Sequence, residues 1–323
     1  VRDLLERHQV WIYLCCVGLG ALIATTVAGT ERLQATINPA LAFMLFVTFL
    51  QVPLAEIGRG FRETRFLGAL LASNFVAIPV LAFLLSRMTM DDALLRLGIL
   101  MVLLTPCIDY VVTFAHLGRA DARLLLASTP VLLLVQMALL PAYLALFLGE
   151  AAAQLVSIGP FVHAFLWLIA LPLLLAATVQ WWAARSAAGR AVGGWLGLLP
   201  VPATALVLFL VVAATVPVMG AAIDRARSAL PVYVAFAVAA PVVGWMVAMA
   251  FGLRSEAARA VSFSSATRNS LVVLPLALAV PGAVPVLPAV IVTQTLVELV
   301  AELVYVRVAP RMRLRGAGVS TRP

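Results

Sequence analysis

Residues 98–112 read GILMVLLTPCIDYVV. An apolar run that could continue as one membrane helix is interrupted at Thr105-Pro106, and Cys107 and Asp109 follow directly. Proline removes a backbone donor and clashes with the preceding turn, so the helix must kink or break there. Thr followed by Pro also suits an N-cap and first turn. The stretch therefore predicts a new half-helix starting at Thr105, near the bilayer centre. Its free N–H groups and positive dipole end would suit an anion or a polar solute. A plain proline kink, common in membrane helices, is the competing reading.

A second interruption lies 161 positions later, where Thr267-Arg268-Asn269-Ser270-Leu271-Val272-Val273 matches Pro106 to Val112 in ending on a Val-Val pair. Around it, Ser262, Ser264, Ser265, Thr267, Arg268, Asn269 and Ser270 crowd nine positions with seven polar residues, too many for a lipid-facing helix. Working outward, ten apolar segments appear, at about 9–28, 37–56, 66–85, 93–117, 122–147, 161–183, 199–219, 229–253, 257–280 and 285–306. The whole chain of 323 residues is 64% hydrophobic and 11% charged. That apolar share fills about ten spans of about 20 residues each, while soluble domains carry about 25% charge. A soluble enzyme, a disordered chain and a nucleic-acid module are excluded. So is a β-barrel, because the runs do not alternate.

Ten spans split as five plus five. An odd number per half inverts the second half relative to the membrane, as in many secondary transporters. The fold class expected is an all-α integral membrane protein of ten helices in two inverted five-helix repeats, with broken helices four and nine crossing at the midplane. The first 30 residues also resemble a signal peptide, but the repeat requires that span, so it is expected to be retained.

The formal net charge is +8, with arginine as the basic residue throughout. With the N-terminus inside, 16 arginines fall on the inner side and 5 on the outer, and Arg268 is left within a span. This bias predicts a multi-pass inner or plasma membrane protein with both termini cytoplasmic.

A charge at mid-membrane costs at least about 2.5–3.5 kcal/mol on insertion scales, so Arg268 must pair or line a wet cavity. Candidate partners are Asp109, Glu298 and Glu302, the last two one helical turn apart. Three acids against one arginine leave two negative charges to be met by protons or a cation, and a buried carboxyl is the usual proton carrier. Glu302 sits near the span end, where snorkelling or pairing with Arg307 is the blander reading. Cys107 reads either as a small core residue or as a ligand for a thiophilic solute. Thr105, Asn74, Ser128, Asn269 and Ser270 complete the candidate binding set, with Thr129, Gln136, Thr293, Gln294 and Thr295 as further polar intramembrane residues. The three cysteines give no disulfide framework. No metal-ligand spacing, P-loop or hydrolase motif occurs, so neither an enzyme nor a cofactor is expected.

These residues resemble the bile acid/sodium symporter superfamily and, within it, the Acr3-type arsenite efflux permeases. The likeness rests on Cys107-Ile108 followed by Leu117-Gly118-Arg119-Ala120-Asp121, on Asn74 followed by Pro79, on Leu296-Val297-Glu298 and on Asn269. It implies a functional thiol at Cys107. It also implies a panel-like part, 9–56 and 161–219, and a core-like part, 66–147 and 229–306. The glutamate that the pattern implies near Leu271 is absent, and Asp109 is the candidate replacement. The expected activity is metalloid (arsenite) efflux coupled to protons, with Cys107 on the solute and Asp109 or Glu298 carrying the proton. The alternative is sodium- or proton-coupled symport of an organic anion, with Arg268 as its clamp. The partners expected are a small-molecule or oxyanion solute, H+ or Na+, and the bilayer. A homo-oligomer is compatible with this, and nucleic acid is not.

Overall fold

The structure, a computed structural model, describes residues 2–51, 63–108, 110–149, 162–163, 165–218 and 222–312. Asp109 lies outside the described residues, as do Arg59, Arg62, Arg313, Arg315 and Arg322. The described chain is helical: α1 (Arg2–Thr26), α2 (Gln34–Phe49), α3 (Thr64–Thr89), α4 (Ala93–Leu103), α5 (Tyr110–Leu117), α6 (Ala122–Leu148) and α7 (Leu166–Arg185). There follow α8 (Ala187–Leu196), α9 (Pro200–Thr215), α10 (Ala222–Ala250), α11 (Ser255–Ala266), α12 (Ser270–Leu278) and α13 (Val286–Val308). Six of these are long and apolar enough to cross a membrane, and the α8–α9 pair, bent by 40°, makes a seventh candidate. The shorter α4, α5, α11 and α12 flank the two interruptions seen in the sequence.

Three of the helices start where a short polar side chain meets a free N–H group in the first turn. Asp92 caps α4 through Leu95 N at 2.9 Å, Asp121 caps α6 through Leu124 N at 3.2 Å, and Ser186 caps α8 through Gly189 N at 2.9 Å. Their outer faces are apolar: Leu146, Val238 and Leu174 are 74%, 68% and 65% exposed. On a soluble monomer such a surface would be anomalous; against lipid it is the solvated face. Exposed Trp181 lies under the Arg185 guanidinium at 4.1 Å, the amphipathic pairing found at a membrane–water interface.

Two sets of helices pack among themselves. Helices α1, α2, α7 and α9 form one set, with α9 against α1 and α2, and α7 against α2. In the other, α10 packs on α3, α11 and α13, while α13 packs on α4 and α12. Helices α5 and α6 rest on α11. Direct contacts between the sets run through α2–α12 and α9–α13.

Prolines inside spans free carbonyls, and a tyrosine from another helix takes them up. Pro79 of α3 leaves the Phe75 carbonyl without its usual donor, and the Tyr143 hydroxyl of α6 donates to it at 2.5 Å. Pro241 of α10 frees the Ala237 carbonyl, and Tyr305 of α13 donates to that one.

Gly244 sets the close approach of α10 to α11. A Cβ there would stand 2.4 Å from Ser265 Oγ and 3.0 Å from the Ser262 backbone. Gly244→Val is expected to force α10 off α11 and to cost about 1–3 kcal/mol. A lowered melting temperature in detergent, against an unchanged one for a lipid-facing control such as Val238→Leu, checks this.

Candidate functional site

The interruption in span four does not start a helix at Thr105. The Thr105 hydroxyl turns back to the Met101 and Val102 carbonyls at 3.1 and 2.9 Å and closes α4 instead. The residue before a proline is pushed out of the helical region, so the chain runs on non-helically and α5 is described from Tyr110. The half-helix N-terminus expected at Thr105-Pro106 is therefore corrected to a helix C-terminus.

This strip meets the second interruption, Thr267–Asn269 between α11 and α12. Cys107 N donates to the Thr267 carbonyl at 3.0 Å, and Asn269 N donates to the Thr105 carbonyl at 2.8 Å, forming an antiparallel bridge centred on Pro106 and Arg268. Each strip answers backbone groups that its own helix break has orphaned. The pairing also brings Thr105, Cys107, Arg268 and Asn269 together at one crossing.

Arg268 is fully buried. Its guanidinium donates to Asn74 Oδ1 at 2.8 Å, to the Leu103 carbonyl at 3.3 Å and to the Ser264 carbonyl. The Phe236 ring lies 5.7 Å away on another side. Leu103 and Ser264 belong to the last turns of α4 and α11, where carbonyls lack intrahelical partners and the dipole is negative. Of the expected carboxylate partners, Glu298 and Glu302 do not pair with the guanidinium, and Asp109 lies outside the described residues. Glu298 instead accepts from the Arg268 backbone N–H at 2.6 Å.

Glu298 is buried and receives two further donors, the Tyr110 hydroxyl at 2.5 Å and Gln294 Nε2 at 2.6 Å. A hydroxyl has one proton, so the longer approach of Tyr110 to the Arg268 carbonyl, at 3.2 Å, is the weaker one. Three donors match a carboxylate well. Glu302 is also fully buried. Its Oε1 meets the Thr267 hydroxyl at 2.5 Å, while Oε2 has no partner. It neither snorkels nor pairs with Arg307, whose Nη1 goes to the Leu303 carbonyl of its own helix.

The remaining candidates divide. Asn74 lies in a π-helical turn, Ser73–Ala77, within α3. That geometry recurs at functional positions, and here it docks Ser73 on Ser265 at 2.6 Å and Asn74 Nδ2 on Ser264 Oγ at 3.0 Å. Ser270 faces Thr295 at 2.8 Å. Asn269 caps α12 through Val272 N at 3.4 Å and leaves its Nδ2 without a partner. Ser128, on α6, returns its hydroxyl to the Leu124 carbonyl and takes no part in the crossing network. Cys107 is fully buried and not in a disulfide. Sequence reasoning passed over Tyr110, Ser73 and Tyr233. Only a buried phenol or hydroxyl within an apolar run could have signalled them.

Two openings approach this network. A small cavity with room for about one water borders Glu298, Gln294, Tyr233 and Tyr305. Tyr233 Oη and Gln294 Oε1, both without partners, line it. A larger cavity of about 280 Å3 lies between Glu6 and Gln51 on one helix set and Ile108, Thr113, His116 and Arg123 on the other. It reaches the residue next to Cys107.

A paired crossing of two broken helices, with buried acids on one side and a cavity between helix sets on the other, is the form of a solute carrier's site. The profile of the Sodium Bile acid symporter family matches residues 38–221. The chain belongs to that family. It is thus a multi-pass membrane protein and a secondary active transporter, not an enzyme. The match contains the first break and stops before α10, so Arg268, Glu298 and Glu302 lie beyond it. No curated protein matches the chain.

The Tyr110–Glu298 bond is short and fully buried, which gives this sodium bile acid symporter family member a local test. Tyr110→Phe is expected to cost about 1.5–3 kcal/mol, as for a hydrogen bond to a charged group. Glu298→Ala is expected to cost more, because it also strands Arg268 N and Gln294. Unfolding of the two single variants and the double variant, compared as a cycle, should show coupling of more than about 0.5 kcal/mol.

Proposed function

We propose that this transporter moves a thiophilic metalloid such as arsenite out of the cell in exchange for protons, in the manner of the arsenite efflux permeases it resembles. The observation that carries the reading is the position of Cys107. Its thiol lies in the non-helical strip of the crossing, beside a residue that lines the 280 Å3 cavity. A soft sulfur is the ligand that a metalloid selects. Gln136 of α6, buried with both amide atoms lacking partners, and Asn269 Nδ2 at the crossing are polar groups left to meet such a solute or its water.

The proton is assigned to Glu302. Glu298 has three donors and holds the second break together. Glu302 has one bond and a bare oxygen, so it can take up and release a proton with little rearrangement. Asp109, beyond the described residues, stays a second candidate for this role. Cytoplasmic termini and the panel and core division belong to the same proposal, supported by the arginine bias and by the two helix sets. In this reading the core moves against the panel through the α2–α12 and α9–α13 contacts.

Two inverted repeats of five spans are part of the same proposal. Three features recur at a spacing of 162 positions: the paired centres Pro106 and Arg268 (268 minus 106), the span prolines Pro79 and Pro241 (241 minus 79), and the tyrosines that serve them, Tyr143 and Tyr305 (305 minus 143). This register is one residue off the Val-Val match in the sequence.

The second reading is symport of an organic anion, favoured by the family itself and by Arg123 and His116 in the larger cavity. Arg268 is a poor clamp for that anion, because its guanidinium is already held by Asn74 and two carbonyls.

Transport into inside-out vesicles separates the two. Arsenite accumulation driven by a pH gradient, lowered about tenfold or more in Cys107→Ala, is the expected result. Glu302→Gln should leave binding of the solute intact and remove the dependence on the pH gradient. Unchanged transport and arsenite tolerance in Cys107→Ala would sink the thiol reading. Sodium-driven uptake of an organic anion would establish the second.

A further inference from the structure

The guanidinium of Arg268 occupies a setting built for a small cation. Three neutral oxygens converge on it from three helices: Asn74 Oδ1 of α3 at 2.8 Å, the Leu103 carbonyl of α4 at 3.3 Å and the Ser264 carbonyl of α11. Two of them end half-helices at a break, where unwound carbonyls and the negative dipole end hold coupling cations in transporters with discontinuous helices. The Asn74 amide is oriented for this. Its Nδ2 donates to the Leu70 carbonyl at 3.1 Å and to Ser264 Oγ at 3.0 Å, which leaves Oδ1 to face the cage. The Phe236 ring supplies a further face that favours a cation, at 5.7 Å. Glu298, a buried acid of this network, is spent on the Arg268 backbone N–H. Nothing in the cage needs the particular shape of an arginine side chain, and the guanidinium Nε is left without a partner.

We propose that this cage is a cation site permanently filled by the chain's own Arg268, so that a tethered guanidinium stands where a mobile cation such as Na+ would otherwise bind, and coupling at the crossing does not use Na+. The inference rests on the crossing being the ion-handling centre of the proposed transporter. Its test reads the cage alone, so a failed arsenite assay leaves it standing.

The full chain is purified in detergent, and its melting temperature is compared in NaCl, choline chloride and methylguanidinium chloride at equal ionic strength. The wild type is expected to melt at the same temperature in all three. Arg268→Ala should melt lower by roughly 5 °C or more. It should regain at least half of that loss in Na+ or methylguanidinium but not in choline, because a ligand bound only to the folded state stabilises it. Stabilisation of the wild type by Na+ over choline overturns the proposal, as does an alanine variant that responds to neither cation. If Arg268→Ala does not fold, Arg268→Lys and Arg268→Met decide. The lysine variant should fold and ignore Na+ while the methionine variant fails or melts far lower, and equal behaviour of the two overturns the proposal.

Discussion

A guanidinium buried in the membrane interior has to be answered where it stands, and the crossing is arranged around that answer. Arg268 ties the last turn of α4, the last turn of α11 and the π-helical turn of α3 to one planar group. Each tie is a charge-assisted hydrogen bond, the stronger kind, and each meets an oxygen that would otherwise be short of a donor. Removing the charge would leave two helix ends repelling each other with their carbonyls bare. The antiparallel bridge between the strips then follows, because the ends are held close enough for Cys107 N and Asn269 N to cross over.

The two breaks are related but not alike. Tyr143 and Tyr305 do the same work for Pro79 and Pro241 at the same spacing that separates Pro106 from Arg268. At the second break, residue 268 has an N–H and Glu298 receives it. At the first, residue 106 is proline and has none to give. Gln136, which stands 162 positions before Glu298 (298 minus 136), is the buried amide with both atoms unpartnered. Unpartnered polar atoms lie in both halves: the Gln136 amide on α6, and Asn269 Nδ2, Gln294 Oε1 and Glu302 Oε2 around the second break.

Much of this was legible in the chain. Continuous apolar runs marked membrane helices, and a proline in one and seven polar residues in another marked the breaks. A lone arginine with no soluble role marked the centre. What the arginine would touch was not legible. Pairing rules look for carboxylates, and here two of the three acceptors are backbone carbonyls, which carry no signature in side-chain sequence. Thr105-Pro106 read as a helix start because Thr and Pro favour that position, yet the Thr hydroxyl serves the preceding turn equally well, and only tertiary pairing decides. Glu302, a candidate partner of Arg268, also had the blander reading of a snorkelling residue by its distance from the span end. Helix α13 runs on to Val308, and that keeps the carboxyl at depth. The tyrosine–proline latches could have been found, since both tyrosines follow their prolines by the same 64 positions (143 minus 79, 305 minus 241).

The bonds that fasten the second break constrain how such a carrier can move. The second break is fastened by Glu298, Gln294, Tyr110 and the guanidinium, and separating those charged hydrogen bonds in an apolar surround costs several times what a surface pair costs. Motion through that knot is therefore the expensive route. The two helix sets, by contrast, touch directly through α2–α12 and α9–α13, and a cavity of about 280 Å3 already parts them beside Ile108. Rocking one set against the other there breaks few polar contacts and trades apolar surface for apolar surface. In the proposed transport cycle, a rigid crossing carried past a yielding seam would expose the Cys107 side of the site first to one face of the membrane and then to the other, without undoing the interaction that holds the crossing together.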